Sequence, residues 1–182
     1  MAVLFVTTTD VKKLTVLDGN LDNDKFIQFL WVAQEIHIQN ILGTDLYDKL
    51  QSDIEGASLT GVYETLVEKY IKPALVHLAV YEYLPFAPFN ISNKGVFKHT
   101  SESAVVADRD DIEDMRNAAK NHGDYYTLRL KNYIKANEGD FPEYNTNTDG
   151  DVYPDQNPML GSWYLGDVND KEDYDRFWGV GQ

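Results

Sequence analysis

The feature that most constrains this chain is the segment from Ala74 to Tyr83, which is apolar nearly all the way round a helix. A helix with no polar face has to be enclosed. The segment therefore predicts the central rod of a helical bundle, with His77 a hydrogen-bonded buried residue rather than a ligand. It continues a pattern that starts near Thr60, places Tyr63, Leu66, Val67, Tyr70, Ala74, Leu78 and Tyr81 on one face, and ends before Pro85. Pro73 lies inside that pattern and predicts a bend or break, because it removes an intrahelical donor and crowds the preceding turn.

Three further helices follow from the same periodicity. From about Asp22 to Leu42, Phe26, Phe29, Leu30, Ala33, Ile36 and His37 form one face, and Gly43 supplies a left-handed stop. Ile27, Trp31, Ile38 and Ile41 form a second stripe beside it, more apolar surface than one core face needs. Either the bundle covers both stripes or a neighbouring subunit covers the second, and Ile27, Trp31 and Ile38 are the candidate subunit-interface residues. Thr44 is expected to cap a shorter helix that has Asp45 in its first turn, turns Leu46, Tyr47, Leu50 and Ile54 inward, and stops near Gly56. The longest helix, about Asp108 to Ala136, carries Ile112, Met115, Ala119, His122, Tyr126, Leu130 and Tyr133 as a packing seam, with His122 a satisfied interior histidine.

The remaining segments are not helical in pattern, apart from one brief turn. Residues 2–8 are β-branched and apolar enough for a short strand, and Thr9-Asp10 is placed to cap a brief helical turn through Leu14. Between Pro85 and Ala104 the helical period disappears, and two apolar arms flank Asn93-Lys94-Gly95 as in a β-hairpin or extended loop leaning on the bundle or a partner. The expected fold is mainly α: a bundle of about four helices over residues 1–137, with a hairpin or loop insertion near 86–104 and an extended C-terminal arm over 138–182.

The arm is set apart by its charge. It holds eleven acidic residues against Lys171 and Arg176, and so contributes nine of the fourteen excess negative charges of the 182-residue chain. Disordered acidic tails are poor in large aromatics, yet this one carries Phe141, Tyr144, Tyr153, Trp163, Tyr164, Tyr174, Phe177 and Trp178. Rings spaced along a polar segment are suited to filling pockets on a partner, and an arm folded back over its own bundle is the alternative. Trp163, Tyr164 and Leu165, then Tyr174, Phe177 and Trp178, are the candidate partner-docking residues. Extended, such an arm spans on the order of 150 Å.

Composition narrows the function. A charge of −14 opposes nucleic-acid binding, which draws its affinity from Lys and Arg displacing counterions, but it suits a wall past which DNA slides without adhering. The absence of cysteine removes disulfides, thiolate catalysis and Cys-ligated zinc. The first ten residues lack the basic and long apolar parts of a signal peptide, and no apolar run is long enough for a membrane span. His37, His77, His99 and His122 are scattered, without H-x-x-x-H or H-E-x-x-H spacing, and there is neither a G-x-S-x-G elbow nor a phosphate-binding glycine loop. Residues 145–151 resemble an EF-hand loop with Gly150 in sixth place. Asn145 stands at the first ligand position and Gln156 at the twelfth, however, so the segment reads as a polar turn. No catalytic residue, cofactor or metal is expected.

The stretch Phe29 to Leu50 resembles head–tail connector (adaptor) proteins of tailed phages, especially those of crAss-like phages. The shared pattern, A-Q-x-x-x-I-x-x-x-L-G-x-x-L-Y, falls on Ala33, Gln34, Ile38, Leu42, Gly43, Leu46 and Tyr47, and the likeness covers about the first half of the chain. The resemblance implies a structural protein of the virion, made in the host cytoplasm. It would form a ring, commonly a dodecamer, beneath the portal protein, extend the DNA channel and carry further neck or tail proteins. It supplies no catalytic residues. Two alternatives come from other classes: a monomeric cytoplasmic module that recognises a protein through the arm, and a calcium-stabilised capsid accessory protein.

Overall fold

A computed structural model of the chain describes residues 3–17, 23–92, 95–98, 108–148 and 150–155. Residues 3–7 are not a strand. Phe5 and Val6 are buried, but their stretch of backbone is tied to the Gln34 side chain instead of a ladder, and Thr7 caps helix α1 (Thr8–Leu14) in a reciprocal capping box with Asp10.

Helix α2 (Asn23–Ala33) runs into a π-helical turn over Gln34–Gln39, then α3 (Asn40–Leu42). A π-helical turn carries extra residues per turn, so faces extrapolated from 3.6 residues per turn slip beyond it. Ile36 consequently lies on the surface, and Ile38 and Ile41 lie in the core. Gly43, with φ of 74°, makes the corner into α4 (Thr44–Glu55), which buries Leu46, Tyr47 and Leu50. Thr44 does not cap α4 through its side chain; it is the first helical residue, and its hydroxyl serves another segment.

Helix α5 (Gly61–Leu66) passes through a second π-helical turn, Val67–Ile71, into α6 (Lys72–Tyr83). Pro73 does not break the helix. The widened turn directly precedes it, and the proline sits in the first turn of α6, where its missing N–H costs least. Helix α6 is the central rod, burying Ala74, Leu75, Val76, Leu78, Ala79 and Val80 and packing along both α2 and α7 (Arg109–Ala136).

Helix α7 starts from a capping box between Asp108 and Asp111. Its buried line is Ala119, Gly123, Thr127, Leu130 and Ile134, so the helix is turned relative to the predicted seam; Met115 and His122 are exposed. Gly123 lies on this line against α6, where a Cβ would come within 2.8 Å of Leu78 Cδ2 and oblige that side chain to shift. Strands β1 (Phe89–Ser92) and β2 (Gly95–Lys98) pair antiparallel, Phe89 opposite Lys98, with the Phe89 and Phe97 rings largely exposed. Residues 93, 94 and 99–107 of the anticipated insertion lie outside the described residues.

The boundary expected at 137 is not where the folded unit ends. Two short 3₁₀ turns, Glu138–Asp140 and Pro142–Asn145, fold back on the bundle, and Phe141 and Tyr144 are buried in its core. Phe141 sits edge-on to Tyr63, so these two rings of the presumed arm complete their own chain's interior.

Candidate interaction site

After Tyr144 the chain becomes a strap across the Gly43 corner, held almost wholly by polar contacts. Thr146 Oγ1 and Thr148 Oγ1 donate to Asp45 Oδ2 at 2.6 and 2.8 Å, and the Thr148 amide adds a third bond at 3.0 Å. These donors, Thr146 first, hold the Asp45 carboxyl below its ordinary range. Thr44 N–H donates to the Val152 carbonyl at 3.0 Å, and Val152 N–H returns a bond to Thr44 Oγ1 at 3.1 Å. Asp155 closes the strap: its amide donates to the Asn40 carbonyl at 2.8 Å, and its carboxylate meets Lys131 Nζ at 2.8 Å. The Lys131 side chain is only 4% exposed, a buried cation facing a half-exposed carboxylate. Farther back, Tyr63 donates to Glu143 at 2.8 Å; burial and that carboxylate push its phenol up to about 12.

Three side chains of the EF-hand-like segment thus spend their oxygens inside the chain, while Asn147 Oδ1 is buried without a hydrogen-bond partner among the described residues. Thr146 and Thr148 are bound to Asp45, and Asp151 accepts from Thr44 Oγ1 at 3.1 Å; Asp149 lies outside the described residues. Among the described residues no group of three or more His, Cys, Asp or Glu side chains is placed to hold a metal. His77 is half-buried, stacked on Tyr126 with ring centroids 5.5 Å apart and 5.2 Å from the His122 ring. Burial first, then the charge of His122, pushes His77 below the ordinary histidine range. His37 meets Glu82 at 2.9 Å, and His99 lies outside the described residues.

The three candidate interface residues separate. Ile27 is 40% exposed and Trp31 half-buried, whereas Ile38 is fully buried within its own chain and is not available to a neighbour. The π-helical turn is the cause, and it exposes Ile36 instead, 53% accessible on the same outer surface as Val32. The six candidate docking residues, Trp163, Tyr164, Leu165, Tyr174, Phe177 and Trp178, all lie outside the described residues.

Sequence reasoning passed over Gln34, although it stands in the motif that carries the resemblance. Its buried side chain accepts from Phe5 N–H at 2.8 Å and donates to the Val3 carbonyl and Tyr47 hydroxyl at 2.9 Å each. A lone glutamine inside an apolar helical stripe was the available signal. Lys131 was visible in the same way, four residues after Thr127 and beside Leu130 on the buried line of α7.

A family model described as "Family of unknown function (DUF6712)" matches residues 38–154, more than half of the chain. The chain belongs to this family. The DUF6712 match runs from the buried Ile38 to Pro154, the residue that packs on Gly43, so it takes in the strap and stops where the strap is tied down. No curated protein and no solved structure matches the chain. Among the described residues no helix is long and apolar enough to cross a membrane.

Proposed function

We propose that this DUF6712 protein is a non-enzymatic structural subunit that forms a ring beneath a phage portal as a head–tail connector, and that its C-terminal segment is the docking arm. The observation that carries the reading is how firmly Asp155 is tied to the bundle. Asp155 is fixed by Asn40 and the buried Lys131, and the sequence after it runs for 27 residues that hold Trp163, Tyr164, Leu165, Tyr174, Phe177 and Trp178. An arm that departs from a rigid point delivers its anchors within a defined radius, which lowers the entropy lost on docking.

The resemblance over Ala33 to Tyr47 supports the connector assignment. The same residues build the Gln34 hub and the Gly43 corner on which the strap rests. Exposed Ile27, Val32 and Ile36 supply apolar surface for lateral contact between subunits, and the charge of −14 suits the wall of a DNA conduit. The test is light-scattering mass across protein concentrations, with and without co-expressed portal protein, followed by electron microscopy. A closed ring or a portal complex is expected; a strict monomer that ignores the portal overturns the assignment in favour of a monomeric binding module.

A further inference from the structure

A cavity of about 330 Å³ lies between the end of the α6–β1 connection and the first turns of α7. Its lining is apolar at Pro85, Pro88, Phe89 and Ile112 and charged at Arg109, Arg116, Asp108 and Glu113. Its volume falls in the range of true ligand pockets and suffices for a large aromatic side chain.

Arg116 is held in place but is not satisfied. Its guanidinium lies over the Tyr81 ring, 4.4 Å from the centroid, and donates to the Tyr81 hydroxyl at 3.0 Å, with Glu113 at 3.9 Å. Its Nε is buried and has no hydrogen-bond partner among the described residues. A buried charged donor without an acceptor is costly, and a carboxylate or carbonyl arriving with a ligand would relieve it. The cavity therefore fits a peptide that offers a ring flanked by acids, with a cation to meet Glu113 or Asp108.

The chain contains such a peptide beyond the described residues, in Asp173-Tyr174-Asp175-Arg176-Phe177-Trp178. We propose that this segment of one copy docks in the cavity of a neighbouring copy, Phe177 or Trp178 meeting the apolar lining, Asp173 and Asp175 facing Arg109 and Arg116, and Arg176 facing Glu113. The inference rests on the ring reading, and it names how the ring is joined.

Reach allows a neighbour as host, and the separateness of the two surfaces favours one. The tether point at Lys131 and the cavity at Arg116 lie 15 residues apart on α7, roughly 22 Å along the helix, while the 23 residues from Asp155 to Trp178 reach on the order of 75 Å, enough to cross to another subunit. Arm and cavity are also different surfaces, and a contact between unlike patches is heterologous, the kind that closes into rings.

The test uses the full chain with the photo-crosslinking residue benzoylphenylalanine in place of Trp178, prepared as an equal mixture of ¹⁴N and ¹⁵N copies. Irradiation and mass spectrometry should give cross-links to residues 85–89 or 109–116, with the mixed-isotope peptide pairs expected of contacts between copies. Ile112→Glu, at a half-buried cavity position, should lower that yield at least tenfold, as should excess synthetic peptide covering residues 170–182. Same-isotope pairs only, or cross-links to other regions in a chain that still assembles, overturn the proposed joint and leave the ring reading standing. A chain that stays monomeric by light scattering, with co-expressed portal protein as well as without it, overturns both.

Discussion

Gly43 and Pro154 touch so closely that a Cβ on Gly43 would lie 2.6 Å from Pro154 Cγ and 2.7 Å from its Cδ. The corner that ends α3 and the strap that seals it are therefore fitted to each other across 111 residues of sequence. The fit depends on a backbone with φ of 74° and ψ of 160°, a region that side-chain-bearing residues avoid.

Gly43→Ala should cost about 2–4 kcal/mol, the sum of backbone strain and a clash with a rigid ring. Urea denaturation measures it. Because the clash is specific, Gly43→Ala combined with Pro154→Ala should lose less than the sum of the single variants, and strict additivity would show that the strap does not press on the corner in solution.

Gln34 closes a different joint. Gln34→Leu keeps the volume but leaves the Phe5 N–H, now paired at 2.8 Å, buried without an acceptor. One stranded amide costs about 2 kcal/mol, expected to appear as a fall in melting temperature of about 4–8 °C. Hydrogen exchange at Phe5 should speed up with it. An unchanged exchange rate there would mean that the N-terminal residues are held by other means.

The helices were legible because Ala74 to Val80, Leu46 to Leu50 and the start of α7 obey ordinary helical spacing and capping chemistry. What was lost follows from two physical causes. The π-helical turns at 34–39 and 67–71 have no composition signature, so periodicity assigned Ile36 and Ile38 to each other's surroundings. Phe141 and Tyr144 were read with the arm because the residues around them are acidic and aperiodic. Their core partners lie on α5 and α7, and only the tertiary fold brings those helices to them. The strap is invisible for the same reason, since its bonds to Asn40, Thr44 and Asp45 join residues far apart in sequence.

The strap gives a measurable latch. Asp155→Asn removes the carboxylate facing Lys131, whose side chain is almost fully buried, and should cost about 1–2 kcal/mol, less than a fully buried pair because Asp155 is half-exposed. The loss should be local: exchange at the amides of Val152 and Asp155, which bond to Thr44 and Asn40, should rise before that of α6. Lys131→Met in the same chain should recover part of the loss, because the cation left in the interior is then gone too.

The α6–α7 contact should weaken in mild acid through His77. Burial and the nearby His122 lower the folded-state pKa of His77 below its ordinary value of 6.5, so on acidification the unfolded chain takes up this proton first. Stability contributed by neutral His77 is therefore complete above about pH 6.5 and is lost as pH falls from there through the folded value. The ring itself lies stacked on Tyr126 of α7, so protonation puts charge into the contact between the two helices. Denaturation midpoints between pH 7.5 and 5 should decline less steeply in His77→Gln than in the parent, with the slope of each transition unchanged. Parallel declines in the two proteins would assign the acid sensitivity to other groups.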